Sequence, residues 1–194
     1  MADLILASKS PRRVELLQQL GLKAHIISID VDECVLPQEK PDEYVLRVSK
    51  EKARAGWEIL SPEIRHLPVL AADTAVVLDE AILGKPTDYV DARRMWRMLS
   101  GVQHDVLSAV VVTQENKTEC ICQRSQVRMR DISEAEMQAY WNTGEPCDKA
   151  GAYGIQGIGA LFIEHITGSY SGIMGLPLFE TAQILKGFGV RVLE

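Results

Sequence analysis

Short apolar runs alternate with amphipathic stretches along this chain. Leu4-Ile5-Leu6-Ala7 reads as a short buried strand. Ser10 is placed to cap a helix with Pro11 at its first position and Leu16, Leu17 and Leu20 on one face, and Gly21 stands where that helix ends. Ala24 to Ile29 is a second strand, and Pro41 to Trp57 a second helix with Tyr44, Val45 and Val48 turned inward. Val69 to Leu78 is apolar and β-branched apart from Asp73 and Thr74, the pattern of a central strand. Thr87 is read as the cap of a helix that carries Met95, Trp96 and Leu99 and closes at Gly101. Val106 to Thr113 and Thr118 to Arg130 form a hairpin around Glu115, Asn116 and Lys117. Ser133 and Glu136 have the spacing of a capping box for a helix ending near Asn142, and a last helix runs from Pro177 to Lys186. Strands and helices mix without a strict βαβ rhythm, which predicts an α/β fold on a mixed sheet, one domain over residues 1–194.

Composition narrows the class. With 194 residues, 46% hydrophobic and 25% charged, the chain suits one globular domain with a sizeable core. A net charge of −6 and only 6% aromatic residues argue against a nucleic-acid-binding module, though a pocket can still be locally basic. No apolar run nears the roughly 20 residues that span a bilayer. The first residues carry Asp3 and only the apolar stretch Leu4 to Ala7, too little for a secretory leader. Cys34, Cys120, Cys122 and Cys147 form no CxxC pair and no zinc spacing with the histidines, so reduced thiols in a cytoplasm are expected.

Five groups of residues carry candidate chemistry. Ser8-Lys9-Ser10-Pro11-Arg12-Arg13 lies at a strand-to-helix junction, where free N–H groups and the positive helix end suit phosphate oxygens. Two arginines in that first turn oppose the dipole and call for a compensating anion; a solvated basic face is the alternative. Asp73 stands inside an apolar strand, where a carboxylate is costly unless paired or metal-bound; it is a candidate general base or a structural Asp at a kink. Lys52 falls on the apolar face of its helix with Val45 and Val48, while Arg47, Lys50 and Arg54 fall opposite. It therefore snorkels outward or meets a buried anion, and Lys85, in the rigid turn Gly84-Lys85-Pro86, can point the same way. Asp30, Asp32 and Glu33 could hold Mg²⁺ through one or two carboxylates, with a solvent-facing loop the plainer reading for at least two of them. Beyond Thr143 the texture changes, for ten of the fourteen glycines lie there. Glycines 151, 154, 157 and 159 let backbone approach a ligand, and Gln156 can offer a base edge both donor and acceptor; a tight connection without ligand is the alternative. Neither GxxxxGK[ST] nor GxGxxG occurs.

In order and spacing these segments resemble the Maf family of nucleoside triphosphate pyrophosphatases. The likeness runs through LASKSPRR (6–13), EKARAG (51–56), AADT (71–74), GKP (84–86), DKAGAYGIQG (148–157) and GLPL (175–178). DKAGAYGIQG and the doubled arginine are those of the dTTP/UTP-specific branch. A sister branch acting on 7-methyl-GTP carries Trp at the Arg12 position and a serine-containing segment at 148–157. Ala71 and Lys9 depart from common family residues without removing a chemical group. The resemblance implies an elongated two-lobed fold, similar to inosine triphosphatases, with the nucleotide in the cleft between lobes. It implies Asp73 as proton acceptor, Arg12, Thr74 and Gln156 as base-selecting residues, and Ser8, Arg13, Lys52 and Lys85 as triphosphate contacts. Glu33, with Asp73, would bind a divalent cation such as Mg²⁺, Mn²⁺ or Co²⁺. A homodimer in the cytoplasm, with no nucleic-acid or membrane partner, is implied as well. Two rival functions stay open: a nucleotide-binding regulator of cell division without essential catalysis, and a pyrophosphatase for modified purine nucleotides such as 7-methyl-GTP.

Overall fold

The computed structural model describes residues 2–192. A seven-stranded mixed sheet has the order β2-β1-β3-β5-β6-β7, with β4 beside β3. The strands are β1 (Leu4–Ala7), β2 (Ala24–Ile27), β3 (Val69–Leu78), β4 (Ala81–Leu83), β5 (Gln103–Gln114), β6 (Lys117–Met129) and β7 (Ile163–Thr167). Six helices among the described residues surround it: α1 (Pro11–Gln19), α2 (Pro41–Glu58), α3 (Tyr89–Leu99), α4 (Glu134–Trp141), α5 (Tyr170–Met174) and α6 (Leu178–Gly187). β1 runs parallel to β2 and β3, and the remaining pairs are antiparallel.

β3 owes its central place to being apolar on both faces. Leu70 and Ala72 face one side, packing with Leu16 and Leu17 of α1 and Leu185 of α6. Ala75 and Val77 face the other side, against Val45 and Val48 of α2. Toward its end Val76 joins a third cluster with Trp96 and Leu99 of α3 and Tyr140 of α4. Burial of these faces at about 25 cal/mol per Å² supplies the driving force for assembling the sheet.

One edge of β3 is interrupted. β1 pairs with β3 only at Val69 and Leu70, and β4 only from Val76 to Leu78. Between them residues 71–75 have β5 on one side and, among the described residues, no strand on the other. Asp73 and Thr74 lie in that gap, on opposite faces of the strand because successive side chains alternate. The chain leaves β1 into Ser8 on one flank of the gap and leaves β4 into Gly84-Lys85 on the other.

Several boundaries differ from the sequence reading. β2 stops at Ile27, because its partner β1 offers only four residues to pair. Asp88, not Thr87, caps α3: its Oδ1 accepts from Asp91 N at 2.8 Å. Ser10 holds the N-cap position of α1 but its side chain makes no cap bond; Ser10 N donates to Ser8 Oγ instead, at 3.1 Å. The hairpin is longer and its turn shorter, since Lys117 pairs with Gln114. α6 begins at Leu178, with Pro177 at the N-cap. β4, β7 and α5 were not foreseen. β4 follows a turn at Asp79 and Glu80 with φ of 46° and 68°, a left-handed pair that sequence usually marks with Asn-Gly.

Candidate active site

A cleft of about 770 Å³ opens at the gap in β3, within the roughly 300–1,000 Å³ typical of small-molecule sites. The nine residues to which the resemblance gives roles all line it: Ser8, Arg12, Arg13, Glu33, Lys52, Asp73, Thr74, Lys85 and Gln156. They come from six separate stretches of chain, so the fold rather than local sequence brings them together.

Asp73 and Lys52 form the floor. The strand period turns Asp73 toward α2, and the helix period turns Lys52 back toward β3. Lys52 Nζ lies 2.8 Å from Asp73 Oδ1 and 2.5 Å from Glu33 Oε1. Asp73 is 8% exposed and Lys52 9%, whereas the Glu33 side chain is half exposed. One ammonium thus pairs with both carboxylates, which explains how an apolar strand tolerates Asp73. Glu33 is steadied through its backbone: Tyr44 Oη donates to Glu33 O at 3.1 Å, and Arg47 Nη2 to Cys34 O at 2.9 Å.

The other two acidic residues of that loop are not part of this cluster. Asp30 pairs with Lys9 at 2.6 Å at the exposed rim, and Asp32 accepts from Cys34 N at 2.9 Å, outside the cleft lining. Glu33 alone of the three meets Asp73 through Lys52.

On the opposite face of β3, Arg13 Nη1 donates to Ser8 Oγ at 3.2 Å, Nη2 to Thr74 Oγ1 at 3.4 Å and Nε to Gly175 O at 3.0 Å. Thr74 Oγ1 also lies 2.8 Å from Ser108 Oγ. Burial lowers the pKa of Arg13 from its ordinary value, opposed by the charge of Asp73. An arginine still stays protonated at neutral pH. The guanidinium is therefore fixed and charged before any ligand arrives. Arg12, one residue earlier, reaches toward Asp148 at 3.8 Å, linking α1 to the glycine-rich segment. Lys85 and Gln156 are exposed along the rim.

Charge in the cleft departs from that of the whole chain. Six cations line it (Lys9, Arg12, Arg13, Lys52, Lys85 and Lys149) against four carboxylates (Asp30, Glu33, Asp73 and Asp148), although the chain carries −6 overall. Such a cleft attracts a polyanion of small size. Sequence reading missed Asp148, Lys149, Gly175 and Ser108 as members of this neighbourhood. Asp148 and Lys149 stood in DKAGAYGIQG and Gly175 in GLPL, both segments already singled out, whereas Ser108 stood in none.

The glycines of that segment sit against the protein's own side chains and backbone. A Cβ on Gly151 would lie 3.0 Å from Val76, on Gly154 2.7 Å from Lys149, on Gly157 2.1 Å from Glu145 and on Gly159 2.6 Å from Tyr140 Oη. They make room for the protein's own groups, as in the tight connection that was one of the two sequence readings.

Behind the segment, buried His104 places Nε2 2.7 Å from Tyr153 Oη. Burial pulls the His104 pKa down to about 4, against about 6.5 in an unfolded chain. The unfolded state therefore binds the proton first, and folding stability is lost as pH falls from about 6.5 through about 4, by about 3 kcal/mol in all. Urea unfolding across that range should show the loss in the native protein and a smaller one in His104→Gln. Equal losses would remove His104 as its source.

Among the described residues no three acidic, histidine or cysteine groups converge as a ready-made metal cage. Glu33 and Asp73 are the two carboxylates held around Lys52 Nζ. No helix of the described residues is long and apolar enough to cross a membrane.

Known proteins align with this chain almost end to end. The family described as Maf-like protein matches residues 3–188. A dTTP/UTP pyrophosphatase of Pasteurella multocida (strain Pm70) is 50% identical over 192 residues, covering 96% of each chain. Its namesake in Pseudoalteromonas atlantica (strain T6c / ATCC BAA-1087) is 50% identical over 183 residues, covering 94% of this chain and 95% of that one. A third, from Nitrosomonas europaea, is 50% identical over 196 residues, covering 96% and 95%. The cleft in the sheet, the residues gathered there and a family match over residues 3–188 agree: this chain belongs to the Maf family.

Proposed function

We infer that this protein is a nucleoside triphosphate pyrophosphatase that hydrolyses dTTP and UTP to the monophosphate and pyrophosphate. Half-identical relatives of matching length carry that name. The observation that carries the chemistry is a buried carboxylate, Asp73, facing a cleft whose cations outnumber its anions.

In this reading the triphosphate lies across the start of α1. Arg13, already fixed by Ser8 and Gly175, takes phosphate oxygens in a forked grip, and Lys85 and Ser8 add contacts from the two flanks of the gap. Lys52, which pairs with Asp73 and Glu33 in the free protein, turns toward the arriving phosphates. Asp73 is then free to accept a proton from the water that attacks the α-phosphorus, and pyrophosphate leaves. Positioning and charge stabilisation do most of the work.

A divalent cation (Mg²⁺, Mn²⁺ or Co²⁺) fits this donor set. Such ions take one or two carboxylates plus substrate phosphates, and Glu33 and Asp73 are that pair. When bound it would offset the negative charge that builds on the phosphates.

Selection of the base falls to Arg12, Thr74 and Gln156. Thymine and uracil present an acceptor O4 beside a donor N3–H, which the Gln156 amide can meet with one donor and one acceptor; cytosine inverts the pair. Replacing Gln156 or Arg12 by alanine should lower kcat/KM for dTTP relative to dCTP by about 10- to 100-fold, the penalty of unpaired polar groups. Pyrophosphate release across a panel of nucleoside triphosphates tests the function itself. Selective turnover of dTTP and UTP supports it; turnover of 7-methyl-GTP alone keeps the enzyme and overturns the substrate, and binding without any turnover favours a regulator. We take the protein to be a cytoplasmic homodimer, which light scattering on the purified chain checks.

A further inference from the structure

Glu145 lies outside the cleft lining yet organises the segment that forms one wall of it. Its Oε1 accepts from Tyr140 Oη at 2.7 Å and from Gly159 N at 3.0 Å, and its Oε2 accepts from Ile158 N at 2.8 Å. Buried Tyr140 in turn accepts from Gly154 N at 3.1 Å. Gly154 precedes Ile155-Gln156-Gly157, and Ile158 and Gly159 follow it, so both ends of this tripeptide are tied to one carboxylate.

The glycines fit this arrangement. A Cβ on Gly157 would sit 2.1 Å from Glu145 Oε2, so only glycine lets the backbone wrap the carboxylate. Lys149 Nζ donates to the backbone O of Glu145 at 2.6 Å and fixes the other end of its residue. Three donors converge on the side chain, and an acceptor-only group is the one that satisfies all of them. Glutamine would turn an N–H₂ toward at least one N–H or O–H.

We propose that Glu145 is a positioning residue for base selection, holding Gln156 in register with the nucleotide base without touching substrate. The inference rests on the dTTP/UTP reading and on Gln156 facing the base. An amide side chain that must match both a donor and an acceptor tolerates little displacement of its backbone.

The test is a double-mutant cycle read as discrimination, the ratio of kcat/KM for dTTP to that for dCTP. Glu145→Gln should lower that ratio about tenfold, as one misplaced hydrogen bond would. The change should lie in KM for dTTP, with kcat for dCTP nearly kept. In a Gln156→Ala background Glu145→Gln should change the ratio no further, because it acts through Gln156. Tyr140→Phe removes the hydroxyl that bridges Glu145 and Gly154 while sparing the bonds from Ile158 N and Gly159 N, and should shift the ratio in the same direction by less; it carries the test should Glu145→Gln not fold. Equal losses for dTTP and dCTP, or additive effects in the double variant, would leave Glu145 a purely structural residue and overturn the proposal. If Gln156→Ala itself leaves the ratio untouched, the base-selection reading fails, and this inference with it. If only the Glu145 and Tyr140 variants leave it untouched, the inference alone fails.

Discussion

Replacing Asp73 by asparagine is expected to slow pyrophosphate release by roughly 10²–10⁴-fold, the usual worth of a positioned general base. Asparagine keeps the shape and one acceptor oxygen toward Lys52, 2.8 Å away, and removes only the charge and the basicity. Lys52 keeps Glu33 as a partner, so the floor of the cleft stays neutralised. One negative charge fewer beside the triphosphate should leave affinity equal or slightly higher. Calorimetry with an α,β-nonhydrolysable dTTP analogue, beside steady-state turnover, separates the two effects. Near-full activity in the variant would remove Asp73 from the role of base.

Lys52→Met should have the second-largest effect, and on two quantities at once. Methionine keeps an aliphatic side chain of similar length at this buried position of α2 but leaves Asp73, 8% exposed, facing Glu33 without a cation. Removing one partner of a buried ion pair typically costs about 3–5 kcal/mol. Activity should fall by roughly 10²–10³-fold, as for other lost contacts to developing charge. Added Mn²⁺ should restore more of the melting temperature in this variant than in the native protein, because a cation can then settle between the two carboxylates. A melting temperature that neither drops nor responds to Mn²⁺ would mean that Lys52 is not what makes Asp73 tolerable.

Much of this floor was legible in the sequence because two simple periods intersect there. An odd Asp in a β-branched run and a lone Lys on an apolar helical stripe each violate a pattern, and the structure places them 2.8 Å apart. The first strand, the second helix and the third strand were equally readable, being long or sharply punctuated. The interruption beside β3 was not, since β4 has only three residues and a turn without glycine. Nor was the role of the glycines, because a residue lacking a side chain says that something comes close, and not what. Glu145 left no trace, for two of its three partners are backbone N–H groups that every sequence possesses.

The interruption beside β3 also decides how the molecule resists bending. A plate notched from one edge keeps its shape through the uncut strip behind the notch. Here that strip is β5, which backs β3 from Val69 to Val77, and β6, which backs β5 from Gln103 to Gln114. The span across the notch, from Ser8 to Lys85, is therefore set by strands whose job is stiffness rather than chemistry. Loosening the strip, for instance at buried Ala109 opposite Asp73, would let the two jaws drift apart with every group on them still in place.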